Sequence, residues 1–414
     1  MAKLINIKPF KRFFSSQSNG GIILMLCVVI SLVIANSSLG SSFNDLLSNQ
    51  FGFENDYIEL KYSLLLWIND GLMAIFFLMV GLEIKREVLD GELKSVKQAS
   101  LPIIAAIGGM LVPAALYFLI NIGSDSAKGW GIPMATDIAF AIGILSVLGS
   151  RVPSSLKIFL TALAIVDDLG AILVIAVFYT ADLHFIYLLL AAGVFAVQMA
   201  LNYFGVKKLV YYIIPGLVLW YFIHHSGIHA TIAGVLTAIA IPANSEKRKR
   251  SPLEKLEHLL GNPVSYIIMP LFALANTNIK FESGMLSGLT NPLGLGIIAG
   301  LFIGKPLGIT LASWIAIKLK VAKKPRAASW KQITGVAMLG GIGFTMSIFV
   351  SLLSFVSPIF QLEAKFSILL ASIISAAAGY IFLNYLSKKQ AIVISEDNKT
   401  QENYSGKEKL ELSL

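Results

Sequence analysis

The sequence predicts an all-α polytopic membrane protein. Its 414 residues are 56% hydrophobic, with a mean hydropathy of +0.75. Charged residues make up only 14% of the chain, against about 25% in soluble domains. Apolar runs follow one another along most of the chain, and basic residues are concentrated in alternate connections between them. Together these observations leave little room for a separate soluble domain.

Twelve apolar segments are long enough, or nearly so, to cross a bilayer as helices. The seventh and eighth are short and could form one hairpin, but the break His224-His225-Ser226-Gly227 between them favours two elements. The predicted spans are 20–36, 62–82, 99–121, 129–149, 155–179, 183–203, 209–223, 227–241, 259–275, 292–317, 333–356 and 364–386.

The positions of Lys and Arg predict how these spans are oriented. Most of the 33 basic residues lie in the two termini and in every second connection. The remaining connections hold only Lys61, Lys128, Lys280 and Lys365. Cytoplasmic loops carry the basic excess, so both termini are predicted to be cytoplasmic. The basic run at 247–250 is interpreted as part of this pattern and not as a nucleic-acid site.

A single transmembrane domain is expected over residues 1–386, followed by a polar tail at 387–414 that is expected to be disordered. Residues 1–36 combine a basic start with an apolar core, which is also the pattern of a signal peptide. Ala35-Asn36-Ser37-Ser38 is a poor cleavage site, however, so this segment is expected to remain as the first span. With a single cysteine, Cys27, the chain has no disulfide framework.

The most informative stretch is TALAIVDDLGAI at 161–172, in the fifth span. Asp167 and Asp168 are adjacent there, and each ionised carboxylate near the membrane centre costs at least ~2.5 kcal/mol. Side by side on a helix, both can reach one cavity, where a proton or a cation would relieve their repulsion. Two acids reaching back to water from a helix end would be the plainer interpretation, but long uncharged flanks argue against it.

Two other spans are predicted to be interrupted. The fourth reads GWGIPMATDIAFAIGIL, where Pro133 removes a backbone donor and Thr136 and Asp137 follow. The eleventh has four glycines in the nine residues 335–343, which disfavours a continuous helix. The alternative for span four is a proline kink that only improves packing, and the alternative for span eleven is that its glycines let helices approach closely. Broken backbone at membrane depth is tolerated only where it is buried or lines a cavity, and a packing kink needs no carboxylate.

The interrupted spans occupy the middle of two three-span blocks, about 99–179 and 292–386, which enter the membrane from opposite sides. We therefore predict inverted three-span repeats with interrupted helices in matching positions, which is the pattern of a transporter's binding site. Lys305, in FIGKPLGI, is the only basic residue near the middle of a predicted span and needs a carboxylate partner. The candidate partners are Asp137, Asp167 and Asp168.

Further polar residues lie toward the ends of the spans. Asp70, after Asn69 in span two, is equally consistent with a structural role and with an outer funnel. His229, at the start of span eight, is interpreted as a satisfied interfacial residue. Span two ends in GLEIKREVLDGEL, and this run by itself is typical of a solvated helix end; its first charged residues are Glu83, Lys85, Arg86 and Glu87.

Five motifs connect the chain to a known family: MATDIAFAIGIL, AIVDDLGAI, SGIHATIAGVL, MPLFALAN and GKPLGI. From about residue 10 to residue 386 the chain closely resembles the NhaA family of bacterial sodium–proton antiporters. The resemblance implies a twelve-span inner-membrane protein with two unwound helices that cross near its middle. It also implies electrogenic exchange of Na⁺ or Li⁺ for H⁺, for sodium and pH homeostasis, with activity regulated by pH.

The family's functional residues can be placed on this sequence. The resemblance implies that Asp167 and Asp168 bind the sodium ion and the protons. It assigns supporting roles to Thr136, Asp137 and Lys305, and a pH response to a cytoplasmic cluster of Glu83, Arg86, Glu87, Glu257 and His258. No cofactor is expected beyond the transported ions. The expected partners are Na⁺, H⁺ and the lipid bilayer, with no nucleic acid and with a homodimer left open.

Two other functions compete with ion exchange. Sodium-coupled uptake of an organic solute needs a larger polar pocket, but the spans offer few further polar side chains beyond Gln198 and Asn202. Intramembrane aspartyl proteolysis needs two aspartates that share a proton. Proteases of that type resemble a different pattern, with aspartates on separate helices and a Gly-x-Gly-Asp motif that is absent here. We therefore expect a transporter and not an enzyme.

Overall fold

The computed structural model describes residues 8–56, 59–180, 183–243, 250–281, 285–326 and 328–411. Most of the predicted basic run at 247–250 lies outside these residues. The α-helices are α1 (Lys8–Ala35), α2 (Gly40–Ser48), α3 (Leu64–Leu66), α4 (Met73–Asp90), α5 (Val96–Ile120), α6 (Ile138–Leu148), α7 (Ser154–Phe178), α8 (Phe185–Tyr203), α9 (Val210–His225), α10 (Thr231–Ala240), α11 (Pro252–Pro263), α12 (Met269–Asn276), α13 (Met285–Gly288), α14 (Pro292–Ile298), α15 (Lys305–Lys318), α16 (Trp330–Gly340), α17 (Phe344–Ser354) and α18 (Pro358–Glu411).

Three π-helical turns join consecutive helices into longer runs: Trp67–Leu72 between α3 and α4, Val264–Ile268 between α11 and α12, and Ala299–Gly304 between α14 and α15. Such turns are frequent at functional sites. Two 3₁₀ segments, Asp125–Met134 and Gly149–Arg151, flank α6. The sequence did not reveal the π turns, because one extra residue in a turn does not change the apolar character of a span.

One short region departs from the predicted helical architecture. β1 (Gln50–Phe51) pairs antiparallel with β2 (Tyr62–Ser63), so the second predicted span begins with strand residues and becomes helical only at Leu64. Gly52 follows β1 with a φ of +119°, a conformation that favours glycine. Strands of two residues are too short to show an alternating pattern, which is why the sequence did not reveal them.

Within the described ranges, seven helical runs are long and apolar enough to cross a membrane, or up to ten if each sharply bent pair counts as one span. Each of the twelve predicted segments coincides with a helical element. Some of these are short, however, and α10 has only 10 residues against the roughly 20 that a perpendicular span needs. The architecture is that of a multi-pass helical membrane protein.

The last helix is longer than the predicted span 364–386. Its apolar part ends near Lys389, and its backbone continues as a helix to Glu411. Residues 390–411 contain few apolar residues for packing. The disorder expected for the tail at 387–414 stays a prediction.

Close packing between α5 and α15 places the first residue of α15 in the interior. A Cβ on Gly308 would collide with the carbonyl oxygen of Gly108, so the two backbones approach as only glycines permit. Lys305 lies one turn before Gly308 and is wholly buried. The close approach at these glycines therefore sets how deeply the Lys305 side chain lies in the helix bundle.

Candidate ion-binding site

Two interrupted helices contact each other at their breaks. The chain bends by 41° between Asp125–Met134 and α6, and by 47° between α16 and α17. The backbone N–H of Asp137 donates to the carbonyl oxygen of Ile342 over 2.6 Å. Thr136 Oγ1 donates to the carbonyl oxygen of Gly340 over 2.8 Å. The predicted interruptions in spans four and eleven are therefore confirmed, and each break satisfies backbone groups of the other.

Asp137 binds the N-terminal ends of both half-helices that follow the breaks. One carboxylate oxygen accepts from the N–H of Phe140 in α6 over 3.2 Å. The other accepts from Thr345 in α17, over 3.1 Å from its N–H and 2.5 Å from its hydroxyl. Helix N-termini favour negative charge because their first N–H groups have no partner within the helix. The sequence singled out Asp137 but gave no sign that Thr345 was its partner.

Lys305 forms a buried ion pair with Asp167. The distance from Lys305 Nζ to Asp167 Oδ2 is 2.5 Å, and both side chains are 0% exposed. Lys305 Nζ also donates to the carbonyl oxygen of Met134, the last residue of the 3₁₀ segment. Of the three carboxylates that the sequence offered as partners, the structure selects Asp167.

Asp168 has a different environment from its neighbour. It is 4% exposed and forms no ion pair within the described residues, and its Oδ1, like that of Asp167, has no hydrogen-bond partner in the part of the chain that the structure describes. It lines a cavity of about 50 Å³ together with Thr136, Asp137 and Glu83. A cavity of this volume has room for water or a small cation. Carboxylate and hydroxyl oxygens are hard ligands suited to such a cation.

The rest of the cavity wall is largely apolar and includes α1, a helix that the sequence did not connect with the site. Leu24 of α1, Phe76 of α4 and Met346 of α17 lie on it. Gly20 and Gly261 are also on the wall, on helices that start from the predicted cytoplasmic side. Apolar walls exclude competing polar contacts, so the carboxylates dominate the chemistry of this cavity.

The predicted cytoplasmic cluster is partly assembled. Arg86 lies between two acids, with Nε 2.9 Å from Glu257 and a terminal nitrogen 2.7 Å from Glu87. Glu83 is 7% exposed and faces the cavity. His258 is exposed, and within the described residues it makes no ion pair. The structure therefore links Glu83 to the candidate ion site and leaves His258 apart from it.

Two residues near this cluster have roles that the sequence did not suggest. Lys85 Nζ donates to the carbonyl oxygens of Ile239 and Ile241 over 2.6 and 2.5 Å, and so caps the C-terminal end of α10. Glu92 donates its backbone N–H to Glu87 over 2.9 Å. Burial, together with the negative charge of Glu87, raises the pKa of Glu92 above its usual value.

The polar residues at the other end of span two have partners of their own. Asp70 lies in the first π turn, 3.1 Å from Nδ1 of His224. Asn69 and Asn276 are joined by a side-chain hydrogen bond of 2.7 Å. His229 Nε2 lies 2.7 Å from the carbonyl oxygen of Tyr179, which agrees with its interpretation as a satisfied histidine. None of these five side chains is among those that line the cavity.

Comparisons with known proteins agree with this architecture. The model of the family described as "Na+/H+ antiporter 1" matches residues 11–383. The chain is 62% identical to Na(+)/H(+) antiporter NhaA 2 of Flavobacterium johnsoniae, with 94% of this chain and 96% of the relative covered. It is 51% identical to Na(+)/H(+) antiporter NhaA of Escherichia coli O1:K1, covering 91% and 98% respectively.

A third relative, Na(+)/H(+) antiporter NhaA of Oleidesulfovibrio alaskensis, is 48% identical, with 92% of this chain and 94% of the relative covered. Among solved structures, the sodium proton antiporter MjNhaP1 from Methanocaldococcus jannaschii at pH 8 has a similar fold, with a TM-score of 0.51 at 14% identity. The alignment covers 92% of this chain and 99% of that one. Given the family match over most of its length and these identities, the chain belongs to the Na⁺/H⁺ antiporter 1 family, with NhaA antiporters as its relatives.

Proposed function

We propose that this protein is an electrogenic secondary antiporter that exchanges Na⁺ or Li⁺ for H⁺ across the bacterial inner membrane. It would serve sodium and pH homeostasis, with activity regulated by pH. The observation that carries the proposal is the buried carboxylate of Asp168. It lines a cavity with an oxygen that lacks a partner, beside the ion pair of Asp167 and Lys305. A carboxylate in this position takes up either a proton or a small cation.

In this proposal Asp167 and Asp168 bind the sodium ion and the protons. Lys305 offsets the charge of Asp167 in the state that the structure describes. Thr136 and Asp137 hold the two breaks together so that backbone groups are satisfied next to the cavity. The cytoplasmic cluster of Glu83, Arg86, Glu87, Glu257 and His258 adjusts activity to pH, and Glu83 is the member with direct access to the cavity.

The proposed topology has twelve spans in one domain over residues 1–386, with both termini cytoplasmic. It is supported by the alternation of basic connections along the sequence. The proposed inverted repeats, about 99–179 and 292–386, place the two observed breaks in corresponding middle segments. The two interrupted helices are proposed to cross near mid-membrane, where the ion site can be reached alternately from the two sides.

Purified protein in liposomes tests the proposal. With a pH-sensitive dye inside and no organic solute present, added sodium should dequench the dye in vesicles that were first acidified. Asp168→Asn vesicles provide the matched control and should stay quenched. A parent that leaves the dye quenched on sodium addition, but accumulates an organic solute in a sodium-dependent way, would refute exchange and indicate sodium-coupled uptake.

A further inference from the structure

Helix α18 presents small and polar residues to the break between α16 and α17. Gly379 packs against Leu339 at the end of α16. One turn earlier, Ser375 Oγ would lie 3.0 Å from a Cβ placed on Gly341, inside the break. Ser372 reaches the first residue of α17, on the far side of the break. Hydroxyl groups of α18 are thus aligned with the region where the second interrupted helix loses its regular hydrogen bonds.

Ser372 completes the N-terminal end of α17. Its Oγ accepts from the backbone N–H of Phe344 over 3.2 Å in a buried contact. The next N–H, that of Thr345, is bound by Asp137. The first turn of α17 is therefore held by side chains from two other parts of the chain, one of which is a residue of the candidate site. Without Ser372, the N–H of Phe344 would be buried with no acceptor.

Ser375 differs from Ser372 because its hydroxyl has nothing to bind. It is 0% exposed, and its Oγ lacks a hydrogen-bond partner in the described part of the chain. Buried hydroxyls are normally paired, so an unpaired one beside a backbone break requires an explanation. Near it, the N–H groups of Gly341 and Ile342 bind the last carbonyls of α16 over 3.0 and 3.1 Å. A change in the break that opened either bond would free a carbonyl close to this hydroxyl.

We propose that Ser372 and Ser375 are positioning residues of the exchange site. Ser372 fixes the first turn of α17 on Asp137. Ser375 takes a backbone carbonyl of the break as its partner when the break changes shape during exchange. The inference rests on the proposed function, because a transport cycle is what moves the break. It adds to that function by giving α18 a part in the ion site, although α18 supplies no residue to the cavity wall.

Ser372 is tested by exchange assays and by deuterium exchange on the full-length protein in liposomes. Ser372→Ala should raise the apparent sodium constant about tenfold, in line with the loss of one buried hydrogen bond, and leave the maximal rate within about twofold. Ser372→Thr keeps the hydroxyl and should restore the parent constant. Peptides covering 341–347 should exchange deuterium faster in Ser372→Ala than in the parent. An unchanged sodium constant together with unchanged deuterium exchange would overturn the role of Ser372.

Ser375 is compared with Ser313, a matched control in α15 that is also 0% exposed with an unpaired hydroxyl. Ser375→Ala should lower the maximal rate about tenfold, because one state of the cycle loses a hydrogen bond. Its Tm should equal or exceed that of the parent, since the described state loses no bond. Ser313→Ala should transport at the parent rate. A parent rate in Ser375→Ala, or equal losses in both variants, would overturn the role of Ser375.

Different measurements test the proposed function and the roles of the two serines. A parent protein that moves no protons on sodium addition would refute the proposed function. Deuterium exchange needs no transport and would still decide whether Ser372 holds the first turn of α17. A parent that exchanges normally while the serine variants match it would leave the proposed function standing and refute this inference alone.

Discussion

Lys305 pairs with Asp167, and the adjacent Asp168 lines the cavity without an ion pair of its own within the described residues. The ion pair has a nitrogen–oxygen distance of 2.5 Å with both side chains wholly buried. Oδ1 of each aspartate lacks a hydrogen bond within the described ranges, but Asp168 lines the cavity and Asp167 does not. Two adjacent acids on one helix therefore have different environments: one is compensated by a cation of the protein, and the other is open to a cation from outside. Most of the predictions below follow from this asymmetry.

Asp168→Asn should abolish exchange and leave the fold intact. A neutral amide cannot alternate between a proton and a sodium ion, and the substitution breaks no ion pair or hydrogen bond that the structure describes. The expected result is loss of sodium-dependent dequenching with a Tm close to that of the parent. Near-normal transport in these vesicles would remove Asp168 from the site.

Asp167→Asn should also abolish exchange, but with a loss of stability. It leaves Lys305 buried without its carboxylate, and breaking a buried ion pair costs about 3–5 kcal/mol. Lys305→Ala should likewise lower the Tm, and Lys305→Arg should be milder because it keeps the charge with a poorer fit. Thermal unfolding in detergent measures all three variants. If Asp167→Asn and Asp168→Asn melt alike, the pairing of Lys305 with Asp167 is wrong.

Glu83→Gln should move the pH at which activity rises toward acid, without loss of maximal activity. Glu83 and Asp168 share the cavity wall, so a negative charge on Glu83 disfavours a second one on Asp168. Removing it lets sodium compete with protons at lower pH. Substitutions at Glu257 and His258 are also expected to shift the pH profile of activity. This expectation rests on the family resemblance. Activity profiles recorded from pH 6 to 9 test this, and an unchanged profile in Glu83→Gln would contradict the link to the cavity.

The apparent sodium constant should depend steeply on pH at the acid end. Each proton that must leave before sodium binds weakens the constant about tenfold per pH unit, or ~1.4 kcal/mol. Competition at Asp167 and Asp168 together would give up to about 100-fold per unit, as a property of the coupled pair. Two protons against one sodium also moves net charge, so charge movement on solid-supported membranes reports the exchange. A sodium constant independent of pH, with only the maximal rate falling in acid, would reject competition and favour a remote switch.

Glu92→Gln should stabilise the protein at neutral pH and have little effect in acid. Burial and Glu87 raise the pKa of Glu92, so the folded state binds its proton more tightly than the unfolded state does. The stability that this proton provides is complete below the unfolded pKa and is lost as pH rises through the folded pKa. Glutamine mimics the protonated form, so the gain in Tm over the parent should grow with pH. A gain that is constant with pH would show that charge is not its cause.

The features that could be predicted from the sequence alone are those that depend on a single segment of the chain. Apolar length is a property of one segment at a time, and each of the twelve predicted segments coincides with a helical element. Pro133 and the glycines of 335–343 act on their own backbone, so both breaks were predictable. A charge in an apolar run is also visible locally, which is why Asp137, Asp167, Asp168 and Lys305 stood out.

Only the tertiary structure decided which of these groups meet. Asp137 was a candidate partner for Lys305 on the same grounds as Asp167, but its carboxylate binds Phe140 and Thr345. Glu83 and His258 belonged to one predicted cluster, yet the fold puts Glu83 on the cavity wall and leaves His258 exposed. Composition and spacing record what each segment contains. The depth and rotation of packed helices, set by contacts such as Gly108 with Gly308, determine which side chains lie within bonding distance.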